Sequence, residues 1–184
     1  MRVITGTLRG KRLLTLEGES VRPTTDKTKE AIFSIIQFDL PNAEVLDLFA
    51  GSGQLGIEAL SRGARHCVFV DKSKESIGII KQNIADCKLE SSARILNYAA
   101  EDYLKMAHRS FDIAILDPPY GLGLIPKVLP ELDEVISPGG TVVCEHEAGL
   151  ILPERVGGLT LRRRYSYGKL VALTVYDKLS VDAD

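Results

Sequence analysis

The stretch "VLDLFAGSGQLG", residues 45–56, decides the fold of this chain. It begins as an apolar run, passes through three glycines spaced Gly51-x-Gly53-x-x-Gly56, and continues with a helical pattern. Asp71 follows 20 residues after Gly51, at the end of the next apolar run. A strand, a glycine turn, a helix and an acid at the tip of the next strand are typical of a nucleotide-type cofactor site.

Strand-like and helix-like segments alternate from this stretch onward. Continuous apolar runs predict strands that are buried on both faces, and the segments between them have helical spacing. This order predicts a doubly wound α/β domain with a parallel sheet. Strands are expected at 44–49, 67–71, 93–97, 111–116 and 141–146, and helices at 55–63, 74–87, 101–107 and 124–136.

The N-terminal segment has a different pattern. Residues 1–16 predict two short strands joined at Arg9-Gly10. We therefore divide the chain into a basic β-hairpin extension, residues 1–20, and one larger domain, residues 21–184.

Two further segments flank the alternating series. The polar residues from Thr24 predict the cap of a helix that ends near Pro41. Residues 159–176 hold two strand-like runs around Tyr167-Gly168, which predicts an antiparallel hairpin at the edge of the sheet.

The composition excludes several classes of protein. With 184 residues, 45% of them apolar and 26% charged, the chain has the composition of a globular domain. No apolar run approaches the ~18 residues of a membrane span, and the opening of the chain, "MRVITGTLRG", lacks the apolar region typical of a secretory signal, so we expect none. Its three cysteines, Cys67, Cys87 and Cys144, are widely spaced, which indicates reduced thiols and argues against a zinc site. We expect a cytoplasmic protein with no membrane partner and no metal.

The net charge of −2 hides a segregation of charge. Residues 1–30 carry seven Lys/Arg against four Asp/Glu, and residues 155–178 carry six against one. The section between them, residues 31–154, carries ten against eighteen. A polyanion would have to bind at the two basic ends, although solvated surface charge explains the pattern about as well.

The acid beside the glycine loop indicates the ligand. Dinucleotide loops bind a pyrophosphate at a helix N-terminus, whereas here Asp47, four residues before Gly51, places a carboxylate beside the loop. A negative charge suits a cationic ligand better than a diphosphate. S-adenosylmethionine has a sulfonium and an ammonium and no phosphate, so we favour this methyl donor over NAD. Asp71 would accept hydrogen bonds from its two ribose hydroxyls.

A second motif, "DPPY", residues 117–120, follows the fourth strand. Asp117 opens into the same crevice as the glycine loop, while Pro118 and Pro119 end the strand and stiffen the turn. The Asp117 carboxylate and the Pro118 carbonyl can accept the two hydrogens of an exocyclic amino group, which favours a more nucleophilic nitrogen. Tyr120 offers an aromatic face on which a splayed base can stack. The alternative is that the tetrapeptide only ends the strand in a turn.

Together these motifs resemble a known family. "VLDLFAGSG…LGIEALSRGA" with "DPPY" is similar to the amino-directed S-adenosylmethionine-dependent methyltransferases. The opening "RVITGTLRGKRL…RPTTDKTKEAIFSII" and the late "YGKLVALTVY" resemble the RsmD family, bacterial guanine-N2 methyltransferases of small-subunit ribosomal RNA. The resemblance runs from Arg2 to about Tyr176. It implies a Rossmann-like class I methyltransferase with a seven-stranded, mostly parallel sheet, helices on both faces and an N-terminal β-hairpin that binds RNA.

The resemblance also implies the substrate and the roles of residues. The substrate would be ribosomal RNA in an assembled or partly assembled small subunit, with the target guanine flipped out, and we expect the enzyme to be a monomer. The catalytic residues would be Asp117, Pro118, Pro119 and Tyr120. The donor would contact Asp47, Phe49, Gly51, Gly53, Asp71, Lys72, Ala100, Glu101 and Asp102, and the RNA would contact Arg2, Arg9, Lys11, Arg12, Arg22, Thr24, Arg162, Arg163 and Arg164.

Some of these assignments have alternatives. Ala99 stands where relatives commonly carry an acid that reads the donor's adenine, so the Ala100 backbone with either Glu101 or Asp102 is expected to replace it. The arginines at 162–164 can also be a charged edge strand that discourages aggregation. The alternative for Arg22 and Thr24 is that they cap a helix and do not contact RNA.

Other functions stay open at this point. The acceptor could be an adenine or cytosine of DNA, although such enzymes generally need an added recognition domain. It could be a glutamine side chain, although protein-directed relatives usually carry Asn at the position of Asp117. A non-catalytic RNA-binding or assembly module would keep the fold without the activity. An NAD oxidoreductase is the weakest alternative, because no hydride-chemistry site accompanies the loop.

Overall fold

The computed structural model describes residues 1–16 and 26–180. The helices are α1 (Asp26–Ile35), α2 (Gln54–Ser61), α3 (Lys74–Cys87), α4 (Ala100–Met106) and α5 (Leu124–Val135). The strands are β1 (Glu44–Asp47), β2 (His66–Asp71), β3 (Ala93–Asn97), β4 (Phe111–Leu116), β5 (Ile136–Glu147), β6 (Arg155–Val156), β7 (Leu159–Tyr167) and β8 (Val171–Lys178). Among the helices of these ranges, none is both long and apolar enough to cross a membrane.

The strands form one sheet in the order β3-β2-β1-β4-β5-β8-β7-β6. The first five in this order are parallel, whereas β8 pairs antiparallel with β5 and carries β7 and then β6 outward. The doubly wound α/β fold and the antiparallel hairpin are therefore confirmed. The sheet has eight strands rather than the expected seven, and the two-residue β6 at the edge contributes to the difference.

Strand β5 is longer than expected. It starts at Ile136 rather than at 141, because Ile136 already pairs with Phe111 at the start of β4. A register shift separates this pair from the next one, Ile113 with Thr141. Gly140 fills the irregular section, where a Cβ would lie 2.9 Å from the Asp112 carbonyl oxygen.

Helices cover both faces of the sheet, as the apolar runs predicted. Helices α1, α2 and α3 pack on one face and α4 and α5 on the other, each over its own buried core. Adjacent residues of β1 alternate between the two cores: Val45 contacts the first and Leu46 the second. A strand buried on both faces explains why its sequence reads as a continuous apolar run.

The N-terminal arm, residues 1–16, turns back on itself, but it holds one isolated bridge in place of the two predicted strands. Arg2 and Arg12 form one isolated antiparallel bridge, and the Val3 N–H donates to the Lys11 carbonyl at 2.9 Å. The tip leaves this pairing because its backbone bonds to α2 instead, where the Thr7 N–H donates to the Ser61 carbonyl at 2.8 Å. The arm is thus fixed against the helix that starts at the glycine loop.

A buried polar network anchors the arm. The two carboxylate oxygens of Glu58 accept the Ile4 and Thr5 N–H groups at 2.8 and 2.9 Å. Lys29, from α1, lies 3.7 Å from Glu58 and donates to the Arg2 carbonyl at 2.7 Å. Both charged side chains are fully buried, and burial is the largest influence on Lys29, whose pKa is lowered.

Candidate functional site

A cavity of about 620 Å³ opens where the parallel strands end. The glycine loop after β1, the tip of β2, the turn after β4 and the start of α4 all contribute to its wall. Strand β1 lies between β2 and β4, so the chain leaves β1 for one side of the sheet and later returns to the other. This reversal of strand order is where open α/β sheets bind their ligands.

The glycines of the loop have separate structural roles. Gly53 has a φ of 80° and occupies the N-cap of α2, a conformation that side chains rarely adopt. A Cβ on Gly56 would lie 2.2 Å from the Phe69 ring, so this glycine lets α2 pack directly against β2. The loop therefore combines a sharp turn with close packing of helix on strand, as the spacing predicts.

Asp71 is held in place at the cavity wall. One of its carboxylate oxygens accepts the Gly51 N–H at 2.9 Å and the other accepts the Ser73 N–H at 2.8 Å. These bonds tie the glycine loop to the start of α3 through one half-buried side chain. A carboxylate has about four acceptor sites, so Asp71 can hold this geometry and also accept hydroxyl groups from a ligand.

Asp47 lies beside the glycine loop, as the sequence predicts, but its side chain is not part of the cavity wall. Its side chain is buried beneath the glycine loop, 1% exposed and away from the cavity wall. One oxygen accepts the Gly56 N–H at 2.9 Å, and the other has no hydrogen-bond partner among the described residues. Burial, with smaller contributions from the charges of Asp117 and Asp71, raises its pKa to about 7. Direct contact of Asp47 with the donor stays a prediction.

The tetrapeptide after β4 divides between two spaces. Asp117, Pro118 and Pro119 line the cavity, Asp117 half-buried and Pro118 buried. Tyr120 lies instead in a narrow cleft beside the cavity, and its hydroxyl donates to Glu145 at 3.3 Å. The stacking of a base on Tyr120 therefore stays a prediction as well.

Most of the other candidate donor contacts reach the cavity. Phe49, Lys72, Ala100 and Glu101 line it. Asp102 does not, so of the two acids at the start of α4 the structure brings only Glu101 to the wall. Gly53 is not at the cavity wall, and a Cβ on it would contact the buried side chain of Ile80.

Several lining residues were not anticipated from the sequence. They are Leu16, Ser52, Gln54, Ser73, Glu75, Tyr98, Leu122 and Glu145, among others. Glu145 had a detectable signal, because it lies near the carboxyl end of β5 as Asp117 follows β4. Leu16 had none, since only the docking of the N-terminal arm brings it to the cavity.

Asn83 on α3 connects the arm to the glycine loop. The Asn83 amide accepts the Leu14 N–H at 2.8 Å and donates to the Leu14 carbonyl at 3.0 Å. The same amide nitrogen donates to the Ser52 carbonyl in the glycine loop at 2.9 Å. Asn83 is 1% exposed, so it links the arm and the glycine loop inside the protein.

The candidate RNA-binding residues lie in two groups. In the arm, Arg2, Arg9, Lys11 and Arg12 are exposed, and Arg2 lies 3.6 Å from Asp26. Arg22 and Thr24 lie outside the described residues.

In β7, Arg162 and Arg164 have partners within the protein. Arg162 pairs with both carboxylate oxygens of Asp177, which raises the pKa of its guanidinium. Arg164 donates to the Leu152 carbonyl at 2.7 Å. Arg163 lies over the Tyr165 ring, 5.2 Å from its centre, and all three arginines are exposed. Contact of these arginines with RNA stays a prediction.

The histidine and cysteines near the site have structural roles. His146 is buried, with its ring nitrogens 2.9 Å from the Glu147 carbonyl and 2.8 Å from the Thr174 hydroxyl. Cys67, Cys87 and Cys144 are free thiols buried in the cores. In the part of the chain that the structure describes, no group of three or more His, Cys, Asp or Glu side chains could hold a metal ion.

Comparisons with known proteins identify the family. A family model described as conserved hypothetical protein 95 matches residues 1–177. The Bacillus subtilis protein YlbH is 42% identical over 97% of this chain and 99% of its own length. Ribosomal RNA small subunit methyltransferase D of Haemophilus influenzae is 36% identical over 84% of this chain and 83% of its own. The solved structure of yhhF from Escherichia coli has a TM-score of 0.84 and 29% identity and matches over 98% of both chains. The chain therefore belongs to the conserved hypothetical protein 95 family, which is the RsmD family, and has the fold of the class I methyltransferases.

Proposed function

We propose that the protein is a cytoplasmic, monomeric S-adenosylmethionine-dependent methyltransferase. It places a methyl group on the exocyclic N2 amino group of a guanine in small-subunit ribosomal RNA, within an assembled or partly assembled subunit. One observation carries the proposal: a single cavity is lined on one side by Gly51 and Asp71 and on the other by Asp117 and Pro118. A donor and an acceptor amine bound to these two sides would meet.

The residues of the cavity suit the methyl donor. The volume of about 620 Å³ lies within the range of small-molecule sites. Asp71 and the glycine loop offer carboxylate and backbone groups for a ribose, and Ala100 and Glu101 lie at the wall for the adenine. When bound, S-adenosylmethionine supplies a methyl group on a positively charged sulfur.

The charge of the site favours a cation over a diphosphate. The charges of Asp117 and Asp71 both contribute to the raised pKa of buried Asp47, so both carboxylates lie close enough to act on it. Such a group of acids attracts a sulfonium and an ammonium and repels phosphate groups. This electrostatic argument supports S-adenosylmethionine over NAD.

Asp117 and Pro118 would act on the acceptor. The Asp117 carboxylate and the Pro118 carbonyl accept the two hydrogens of the amino group and hold its lone pair towards the methyl carbon. The methyl group would pass from sulfur to this amino nitrogen, S-adenosylhomocysteine would leave, and the Asp117 carboxylate, which already accepts one of the hydrogens, would take the proton that the methylated amine releases. The task of the protein is to align the reacting atoms, because proximity and orientation can supply a large part of the acceleration.

Ribosomal RNA as the substrate is supported by the family and by charge. A relative at 36% identity is named ribosomal RNA small subunit methyltransferase D. The exposed cations of the N-terminal arm provide contacts for phosphates. The arm is fixed to α2, the helix that begins at the glycine loop, so RNA held by the arm would lie beside the donor site.

The test uses Asp117→Asn, with Asp112→Asn at the other end of β4 as the matched control. Small subunits from a strain that lacks the enzyme, together with DNA and free RNA, are offered with tritiated donor. We expect wild type and Asp112→Asn to methylate the subunits on a guanine N2, and Asp117→Asn to lose roughly 100-fold in rate. Donor binding by calorimetry should persist in both variants. Full transfer by Asp117→Asn, or methylation of DNA in place of subunits, would refute the proposal.

A further inference from the structure

We propose that Glu145 determines the choice of base by accepting a hydrogen bond from the ring N1–H of the target guanine. The inference rests on the proposed function and deepens it. Glu145 is 4% exposed, lies in β5 and contributes to the wall of the cavity beside Asp117 and Pro118. A carboxylate this deeply buried is rare in proteins and needs partners.

The register of the sheet places Glu145 next to Asp117 and Pro118, which together are called the amino-group clamp here because they would hold the acceptor amine. Leu116, the last residue of β4, pairs with Cys144 of β5 in parallel. Asp117 and Glu145 each follow one residue after this pair. Neighbouring strands lie about 4.8 Å apart, so the two carboxyl groups start from adjacent positions at the same edge of the sheet.

The turn that carries the clamp is also tied to β5. The Tyr120 hydroxyl donates to Glu145 at 3.3 Å, and the Gly121 N–H donates to Glu147 at 3.2 Å. The first bond fixes the orientation of the Glu145 carboxylate relative to the tetrapeptide. A carboxylate can accept from several donors at once, so a bond from Tyr120 is compatible with a bond from a ligand.

The chemistry of the bases explains what a second carboxylate would read. Guanine has two neighbouring donors on its pairing edge, the N2 amino group and the N1–H. Adenine and cytosine also have an amino group, but the adjacent ring nitrogen is an acceptor in both. A carboxylate opposite that nitrogen attracts guanine and repels the other two bases. Asp117 alone would hold the amine of any of the three, and Glu145 beside it would select guanine.

The experiment replaces the target guanine by 2-aminopurine, which keeps the N2 amino group and has an acceptor at N1. Small subunits are reconstituted with either base at the methylated position, and single-turnover methyl transfer is measured. Glu145→Gln is compared with wild type and with Glu134→Gln, an exposed site on α5 outside the cavity wall. The readout is the ratio of the two rates within each protein, so intrinsic differences between the bases cancel across variants.

We expect wild type and Glu134→Gln to prefer guanine roughly tenfold or more over 2-aminopurine. The amide that Glu145→Gln introduces can donate to the acceptor nitrogen, so this variant should lose the preference or invert it. Its donor affinity should stay within about twofold of wild type, an order-of-magnitude expectation for a site that reads only the base. If Glu145→Gln does not fold, Glu145→Ala serves, with a ratio near that of the bases' intrinsic reactivity.

Three results would overturn the inference. Wild type could use both bases equally, the variant could keep the full preference for guanine, or its defect could lie in donor affinity, which would place Glu145 on the donor's ammonium. Failure of the proposed function is distinct, because wild type would then leave guanine-containing subunits unmethylated.

Discussion

Glu58→Gln should loosen the N-terminal arm and destabilise the whole protein. The carboxylate of Glu58 accepts two backbone N–H groups of the arm and the Arg62 guanidinium at 2.8 Å, and it faces Lys29 at 3.7 Å. An amide in its place keeps one acceptor oxygen. Its NH2 group faces a backbone N–H, and the buried ammonium of Lys29 loses its counter-charge.

The structure sets the size of the effect. Removing one partner of a buried ion pair costs about 3–5 kcal/mol, and Lys29 and Glu58 are both fully buried. Because 1 kcal/mol lowers the melting temperature of a domain of this size by roughly 2–4 °C, Glu58→Gln should melt about 6–20 °C below wild type. Lys29→Met/Glu58→Gln removes the fully buried ammonium together with its counter-charge and leaves only the partly exposed Arg62 without its ion pair, so the double variant should recover part of the loss.

Chemical denaturation measures the loss of global stability, and amide hydrogen exchange measures the local loosening of the arm. The free energy of unfolding should fall in Glu58→Gln and stay within about 0.5 kcal/mol of wild type in Glu90→Gln, an exposed control. The Ile4 and Thr5 amides should exchange faster, with smaller changes in α3. A loss under about 1 kcal/mol, or a double variant no more stable than Glu58→Gln, would refute the reasoning.

Two further predictions concern the donor side. In Asp47→Asn the amide lacks the raised pKa of about 7 that Asp47 has. The folded wild type retains a proton that the unfolded chain releases above pH 3.8, so the free energy of unfolding of the wild type falls as pH rises towards 7. The variant should therefore gain up to about 3 kcal/mol relative to wild type between pH 5 and 8. Free energies of unfolding that change in parallel with pH in the two proteins would contradict this. Asn83→Ala removes the hydrogen bonds to Leu14 and Ser52, so the free energy of unfolding should fall by about 1–3 kcal/mol. Calorimetry should also show weaker donor binding. An unchanged donor affinity would show that Asn83 leaves the loop unaffected.

The alternating part of the fold was predictable because its signals are local. The bounds of α3, β3 and β4 match the expectation at every residue, and Ser73 caps α3 by accepting the Ser76 N–H at 3.3 Å. Strand β6 had no such signal. It has two residues, and the turn after it is held by a contact distant in sequence, the Gly158 N–H donating to Asp133 at 3.0 Å.

The sequence predicts which residues lie at the ends of the strands, but not which of their side chains point into the cavity. Asp71 and Asp117 lie at or just after the ends of their strands and both line the cavity. Asp47 also ends its strand, yet its side chain turns to the Gly56 N–H beneath the loop. At the end of β5, Glu145 lines the cavity whereas His146 bonds to Thr174. Neighbouring strand residues face opposite sides, and only the structure shows which side is the cavity.

Helix α2 connects the glycine loop of the proposed donor site to the N-terminal arm of the proposed RNA site. Gly53 at its N-cap belongs to the glycine loop, and Ser61 at its end accepts the backbone of the arm. With eight residues it is about 12 Å long, so the exposed cations of the arm are held at a set distance from the donor site. From α3, Asn83 forms hydrogen bonds both to Leu14 in the arm and to Ser52 in the glycine loop. Because hydrogen bonds join the arm, α2 and the loop, an RNA held through its phosphates on the arm, as the proposed function requires, would lie at a fixed position relative to the cavity.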